Sequence, residues 1–405
     1  MRRRDWILLP VLGLITIALL MVSAESIARW SFPTSESGLQ GCFAKGIPWG
    51  NAGAVPNTVC SERMAESKYL AEYRFNSCGH RAGVECGPKQ AGSYRIVMIG
   101  SSMAMGLFTP REMTFASLLP PKLSQETGRK IELYNEASGG EFRGGPFPMR
   151  GSISQFKEVL SASPDMVLWV VTPMDVENAT FEGPSPEQMA AIQNRAGSGV
   201  RSGHLANVWN KVKAAVTQGT IDKELRGRWD QSRTSLALKH IFYGSESQQQ
   251  YVDSYLKNQD DSGFLRADMS PKWRNSLAAF EGYAEAFESQ AKKANLPFVV
   301  VLVPNRAQAA MLSMGRDQWP AGYDPYKLDE EMRAIVEKHG GTYVDVLPEF
   351  SKIPNPEQHY FPIDGHPDAE GHAMIADVLA HGLTNGAIPQ LKASAQPQAQ
   401  LERGR

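Results

Sequence analysis

The sequence predicts an α/β protein built on a doubly wound, parallel, five-stranded sheet. Three observations predict it. Short runs rich in Val, Ile and Leu recur at 94–100, 130–135, 166–172, 296–303 and 342–346, and runs of this kind are strands buried on both faces of a parallel sheet. Segments of helical spacing fall between them, the alternation of a doubly wound fold. Glycine, serine and aspartate cluster just past the strand ends, where such sheets place their sites. The expected strand order is 2-1-3-4-5, with a helical insertion and an apolar N-terminal helix.

The elements follow in order. Arg2, Arg3 and Arg4 precede a charge-free run over 6–24, long enough to cross a hydrocarbon core of about 30 Å. The basic cluster belongs on the cytoplasmic side and sends the chain outward. Residues 1–24 therefore read as a single-pass signal anchor. A cleaved signal peptide is the rival, with Val22-Ser23-Ala24 as its cleavage site. Residues 25–90 form a Gly-, Pro- and Cys-bearing stem or cap with little periodicity, and they hold all four cysteines, Cys42, Cys60, Cys78 and Cys86. An even count in an exported segment points to disulfides, and four cysteines allow three pairings. Cys42–Cys60 with Cys78–Cys86 closes the smallest loops. A zinc site is the alternative, but no CxxC pair is present.

Residues 91–386 form the main domain. The strand at 94–100 leads to a helix at 113–126, and the strand at 130–135 to a helix at 150–162. A polar insertion over about 180–270 follows the third strand and carries Trp209, Trp229, Phe242, Tyr243, Tyr251 and Tyr255, as packing groups or as a substrate lid. Helical pieces are expected at 205–216 and 248–256. Ser270 is a predicted N-cap with Pro271 in the first turn, and Leu277, Phe280, Tyr283 and Phe287 share one face. A helix at 327–339 ends on Gly340-Gly341, and a last helix spans 370–383. Residues 387–405 are Gln-, Ala- and Pro-rich and read as a disordered tail. With 42 Lys and Arg against 43 Asp and Glu, and only short basic runs, no nucleic-acid partner is expected. No cofactor and no metal are expected either.

Two segments carry chemistry. Arg95-Ile96-Val97-Met98-Ile99-Gly100-Ser101-Ser102 is a strand that stops on a glycine and presents a serine. Asp364-Gly365-His366-Pro367 is a loop entering the last helix. A serine needs a base to become a nucleophile, and a histidine needs a carboxylate to orient it. These residues resemble the SGNH, or GDSL-like, hydrolase superfamily, in its membrane-tethered bacterial form. Tyr134-Asn135-Glu136-Ala137-Ser138-Gly139-Gly140 resembles the family's second block, and 164–175, ending Thr172-Pro173-Met174-Asp175, its third.

The resemblance implies Ser102 as nucleophile, His366 as base and Asp364 as its orienting carboxylate. It implies an oxyanion hole from the backbone amides of Ser102 and Gly140, with Gly139 nearly as good. Two departures stand out. Ser101 replaces the usual aspartate, and Met174 replaces an asparagine that donates to the oxyanion, which a thioether cannot do. Asp175 and Arg306 are second-tier candidates for substrate binding, and Asn178 for the missing donor. His80 reads as a loop histidine and His372 as a packing residue. The expected function is a membrane-anchored, extracytoplasmic serine ester hydrolase or O-acyl transferase acting on acylated glycan, envelope or small ester substrates. A fold-retaining binding or assembly protein of the envelope is the alternative.

Overall fold

The computed structural model describes residues 5–32, 35–42, 54–67, 69–137, 159–180 and 232–393. They fall into two units. One holds the described residues of Met1–Ser35 and Gly183–Ser245. In it, helix α1 (Asp5–Ser31) is long and apolar enough to cross a membrane. The expected run over 6–24 is thus part of a longer helix, whose last turns carry a Glu25–Arg29 ion pair. The Glu25 carboxylate accepts from Thr234 N, Thr234 Oγ1 and Arg233 N, and so caps the helix Arg233–Ser245.

The other unit holds the rest. Its N-terminal part is a small antiparallel sheet of β1 (Glu36–Ser37), β2 (Val59–Arg63) and β3 (Ala71–Arg74) in the order β1-β2-β3. Two disulfides follow: Cys42–Cys60 ties β2, and Cys78–Cys86 closes the stretch after β3. Cys42–Cys60 has its Cα atoms 5.9 Å apart and Cys78–Cys86 5.7 Å, within the normal span. This is the smallest-loop pairing, and it leaves no cysteine for zinc.

The main sheet begins with β4 (Ser93–Gly100), followed by α2 (Ser102–Met105), α3 (Phe115–Thr127), β5 (Lys130–Asn135), β6 (Met166–Val171) and α4 (Pro173–Glu177). After the insertion come α5 (Pro271–Lys293), β7 (Phe298–Leu302), α6 (Arg306–Met314), α7 (Lys327–His339), β8 (Thr342–Tyr343) and α8 (Ala369–Thr384). The order is β5-β4-β6-β7-β8, all pairs parallel. Numbered within the sheet this is 2-1-3-4-5, as the alternation predicts.

Every residue of β4, β6 and β7 is buried, which explains why these strands are apolar without alternation. α5 is capped by the Ser270 hydroxyl and packs Phe280 and Phe287 on Trp169 of β6, with ring centroids 5.2 and 4.8 Å apart. Tyr283 is only partly buried against that core. The last strand is shorter than the run over 342–346, because its ladder to β7 stops at Tyr343. The helix expected at 248–256 is present as Gln248–Leu256. The helix expected at 205–216 and most of the one at 150–162 lie outside the described residues.

Candidate active site

β4 ends on Gly100, and Ser101 caps a helix that starts at Ser102. Only glycine fits at 100, since a Cβ there would meet the Val170 carbonyl oxygen at 2.6 Å and the Ala104 side chain at 2.7 Å. This close passage of β4 against β6 turns the chain sharply and leaves the next side chains at the sheet's carboxyl edge.

The loop ahead of α8 meets that edge. Ser102 Oγ lies 2.7 Å from His366 Nε2, and His366 Nδ1 lies 2.5 Å from Asp364 Oδ1. The carboxylate accepts from Nδ1–H, so Nε2 is the free base facing the serine. Gly365 adopts a left-handed φ of 86°, the region glycine tolerates. The chain there turns tightly enough for side chains two residues apart to face each other, and His366 N also donates to Asp364 Oδ1. Burial pushes the Asp364 carboxyl up, but the hydrogen bond and charge of His366 outweigh it and hold the group below its ordinary range.

The environment supplies contacts that the motifs do not announce. The Glu66 carboxylate accepts the backbone N–H groups of Ile363 (3.2 Å) and Asp364 (3.0 Å). The Phe108 ring stands edge-to-face against His366, centroids 5.5 Å apart. Phe108 holds a left-handed φ of 64°, costly for a residue with a side chain. Its N–H donates to Tyr73 Oη, and its carbonyl accepts from Ser67 Oγ. Arg81, buried over the Tyr73 ring, donates to the carbonyls of Met105, Gly106 and Thr109. Glu66 sits in a stretch without periodicity, and no signal marks it.

The other candidates are placed as follows. Asp175 is buried, and its Oδ2 accepts from Thr172 N, Thr172 Oγ1 and Ser101 Oγ, which closes a capping box on α4. Met174 beside it is 62% exposed at the same edge. Arg306 is not set as a substrate-facing cation. The residue is 7% exposed, and its guanidinium donates to the carbonyls of Glu357 and Pro362 and lies 4.0 Å over the Tyr251 ring. It braces the loop that leads into Asp364. Asn178 begins a short 3₁₀ turn after α4.

His80 stands on a loop, as expected, and is buried with Nε2 2.5 Å from Glu136 Oε1. His372 is fully buried beside Phe115 and accepts Phe115 N–H on Nδ1, in keeping with packing. Gly139 and Gly140 lie outside the described residues. Among the described residues no cluster of His, Cys, Asp and Glu has the make-up of a metal site.

No family model matches the chain, and no curated protein matches it. Three solved structures are similar in chain trace. TesA has 10% identity and a TM-score of 0.36, over 72% of this chain and 98% of that one. A mutant of Axe2, an acetyl-xylooligosaccharide esterase from Geobacillus stearmophilus, has 13% identity and a TM-score of 0.36, over 73% and 96%. A protein assigned to the lipolytic G-D-S-L family, from Desulfitobacterium hafniense DCB-2, has 12% identity and a TM-score of 0.31, over 71% and 99%.

Proposed function

We propose that this protein is a serine ester hydrolase or O-acyl transferase of the SGNH type. It is held at the membrane by α1, with its main unit on the extracytoplasmic side. One observation carries the reading: Ser102, His366 and Asp364 form a continuous hydrogen-bonded chain at the carboxyl edge of the sheet. As Ser102 Oγ bonds to the ester carbon, its proton passes to His366 Nε2. Asp364 steadies the imidazolium that results. Collapse of the tetrahedral intermediate breaks the ester C–O bond, and His366 returns the proton to the leaving alcohol. Water then frees the acid, or a sugar hydroxyl takes the acyl group as a new ester.

The oxyanion faces the Ser102 N–H in the first turn of α2, where helical N–H groups have no partner within the helix. The Gly140 amide is the second donor that the family resemblance implies. The substrate class we assign is an acylated glycan or other envelope ester. This follows from the resemblance and from the side of the membrane that two disulfides favour. The rival, an envelope binding or assembly protein without chemistry, draws on Met174, which offers the oxyanion no donor.

A fluorophosphonate separates the two readings. Full-length protein in detergent is expected to label at Ser102, with labelling lost in Ser102→Ala and at least about 100-fold slower in His366→Ala, the low end of what general-base catalysis contributes. A folded wild-type protein that does not label overturns the enzyme reading.

A further inference from the structure

We infer that Glu66, from the disulfide-bearing N-terminal segment, is a positioning residue for the triad. The inference rests on the hydrolase reading above and extends it to a segment outside the family motifs. The Asp364–His366 pair stands on a loop, not on a strand or helix, and its alignment with Ser102 depends on what fixes that loop. From the C-terminal side, His366 O accepts Phe361 N–H, and Arg306 holds the carbonyls of Glu357 and Pro362. Those bonds leave the N–H groups of Ile363 and Asp364 to be fixed. Glu66 receives both, one on each carboxylate oxygen, at 3.2 and 3.0 Å.

A carboxylate gripping two adjacent amides fixes the direction of the backbone and not merely its place, and such charge-assisted bonds are about twice as strong as neutral ones. Glu66 itself is anchored. It follows β2, which Cys60 ties to Cys42, and its neighbour Ser67 bonds the Phe108 carbonyl. One short stretch of this segment thus reaches both sides of the imidazole: the Asp364 loop through Glu66, and the Phe108 loop through Ser67. These bonds go to the backbone of the two loops, not to the reacting atoms.

The test compares Glu66→Gln and Glu66→Ala with wild type in full-length, detergent-solubilised protein, using p-nitrophenyl acetate and fluorophosphonate labelling. Gln keeps the shape but turns one acceptor oxygen into an NH2 donor, so it cannot take one amide on each terminal atom as Glu66 does. Displacing a catalytic group by about 1 Å costs about 100-fold, so kcat is expected to fall by up to about 100-fold in the Ala variant and less in the Gln variant. KM should stay within about two-fold, and labelling of Ser102 should slow in parallel, because both depend on the same base. Wild type that turns over ester, with both variants equal to it, overturns this inference and leaves the hydrolase reading intact. Should Ala unfold the protein, a folded Gln variant with unchanged kcat overturns it alone. Wild type that neither turns over ester nor labels overturns both.

Discussion

Ser101 and Asp175 are joined by a 3.1 Å hydrogen bond, hydroxyl to carboxylate, directly behind Ser102. The bond ties the end of β4 to the capping box that starts α4. Ser101 thus anchors the turn from within.

Asp175 titrates above the ordinary carboxylate range because it is buried, and the Ser101 bond opposes that shift. Burial raises its carboxyl to about 6, against the bonds from Thr172 and Ser101 and the charge of His366. An unfolded aspartate titrates near 3.9. Between about pH 4 and pH 6 the folded state therefore binds more protons than the unfolded one, and this group's contribution to stability falls as pH rises. Asp175→Asn does not titrate. Its melting temperature is expected to gain on that of wild type as pH goes from about 4.5 to about 7. Parallel curves in a thermal unfolding series would show that Asp175 is not held in this way.

Met174 offers the complementary test. Its side chain is 62% exposed, so replacing it with a polar residue should change stability by no more than about 0.5 kcal/mol. Met174→Asn restores an amide donor at the edge where the oxyanion forms. A single donor of this kind is worth about 100- to 1,000-fold at best. Turnover of an aryl acetate is expected to rise, with stability unchanged in denaturant. A folded variant with unchanged or lower turnover means that another group already fills the position.

The sheet order was legible because each buried strand announces itself. β4 from Ile96 on, β6 and β7 have no solvent face, so they run in Val, Ile, Leu and Met with only Gly100, Trp169 and Phe298 among them. The Ser102 and Asp364-Gly365-His366 segments were legible because each combines a special backbone with a reactive side chain in adjacent residues. What supports them was not. Glu66 and Phe108 act through backbone amides, a carbonyl and a ring edge, contacts that depend on three-dimensional approach across about 260–300 residues for His366 and Asp364. The burial of Arg306 is not legible in sequence: its place after β7 sets it at the site edge, while nothing tells that Tyr251, Glu357 and Pro362 enclose it.

His372 makes the fold sensitive to acid. Burial first, then the charges of Arg81 and His366, lowers its imidazole to about 3. The folded state keeps it neutral, while the unfolded chain protonates near 6.5. Its contribution to stability is whole above about pH 6.5 and is lost at about 1.4 kcal/mol per unit as pH falls below that. His372→Asn removes the titration and keeps an acceptor for the Phe115 N–H. The variant costs about 1 kcal/mol at neutral pH through poorer packing and bonding. Its stability in urea should then decline less steeply than wild type between about pH 6.5 and pH 5. Equal slopes would mean that water reaches this histidine.

Phe108 separates a ring effect from a backbone effect. Its left-handed φ of 64° costs about 1–3 kcal/mol for a residue with a Cβ, and the loop holds it there with its ring against His366. Phe108→Gly removes the ring but accepts the backbone. Phe108→Leu keeps apolar bulk and the strain but loses the aromatic edge. If the ring orients the imidazole, both variants lose kcat, by about 10-fold or more for a displacement under 1 Å. Phe108→Tyr should then restore it. If the strained loop is what matters, Leu retains activity while Gly, free to relax, loses it. Steady-state kinetics on an aryl acetate, with melting temperatures to confirm folding, tells these apart. Wild-type kcat in all three variants would show that Asp364 and the loop behind it hold the imidazole without this ring.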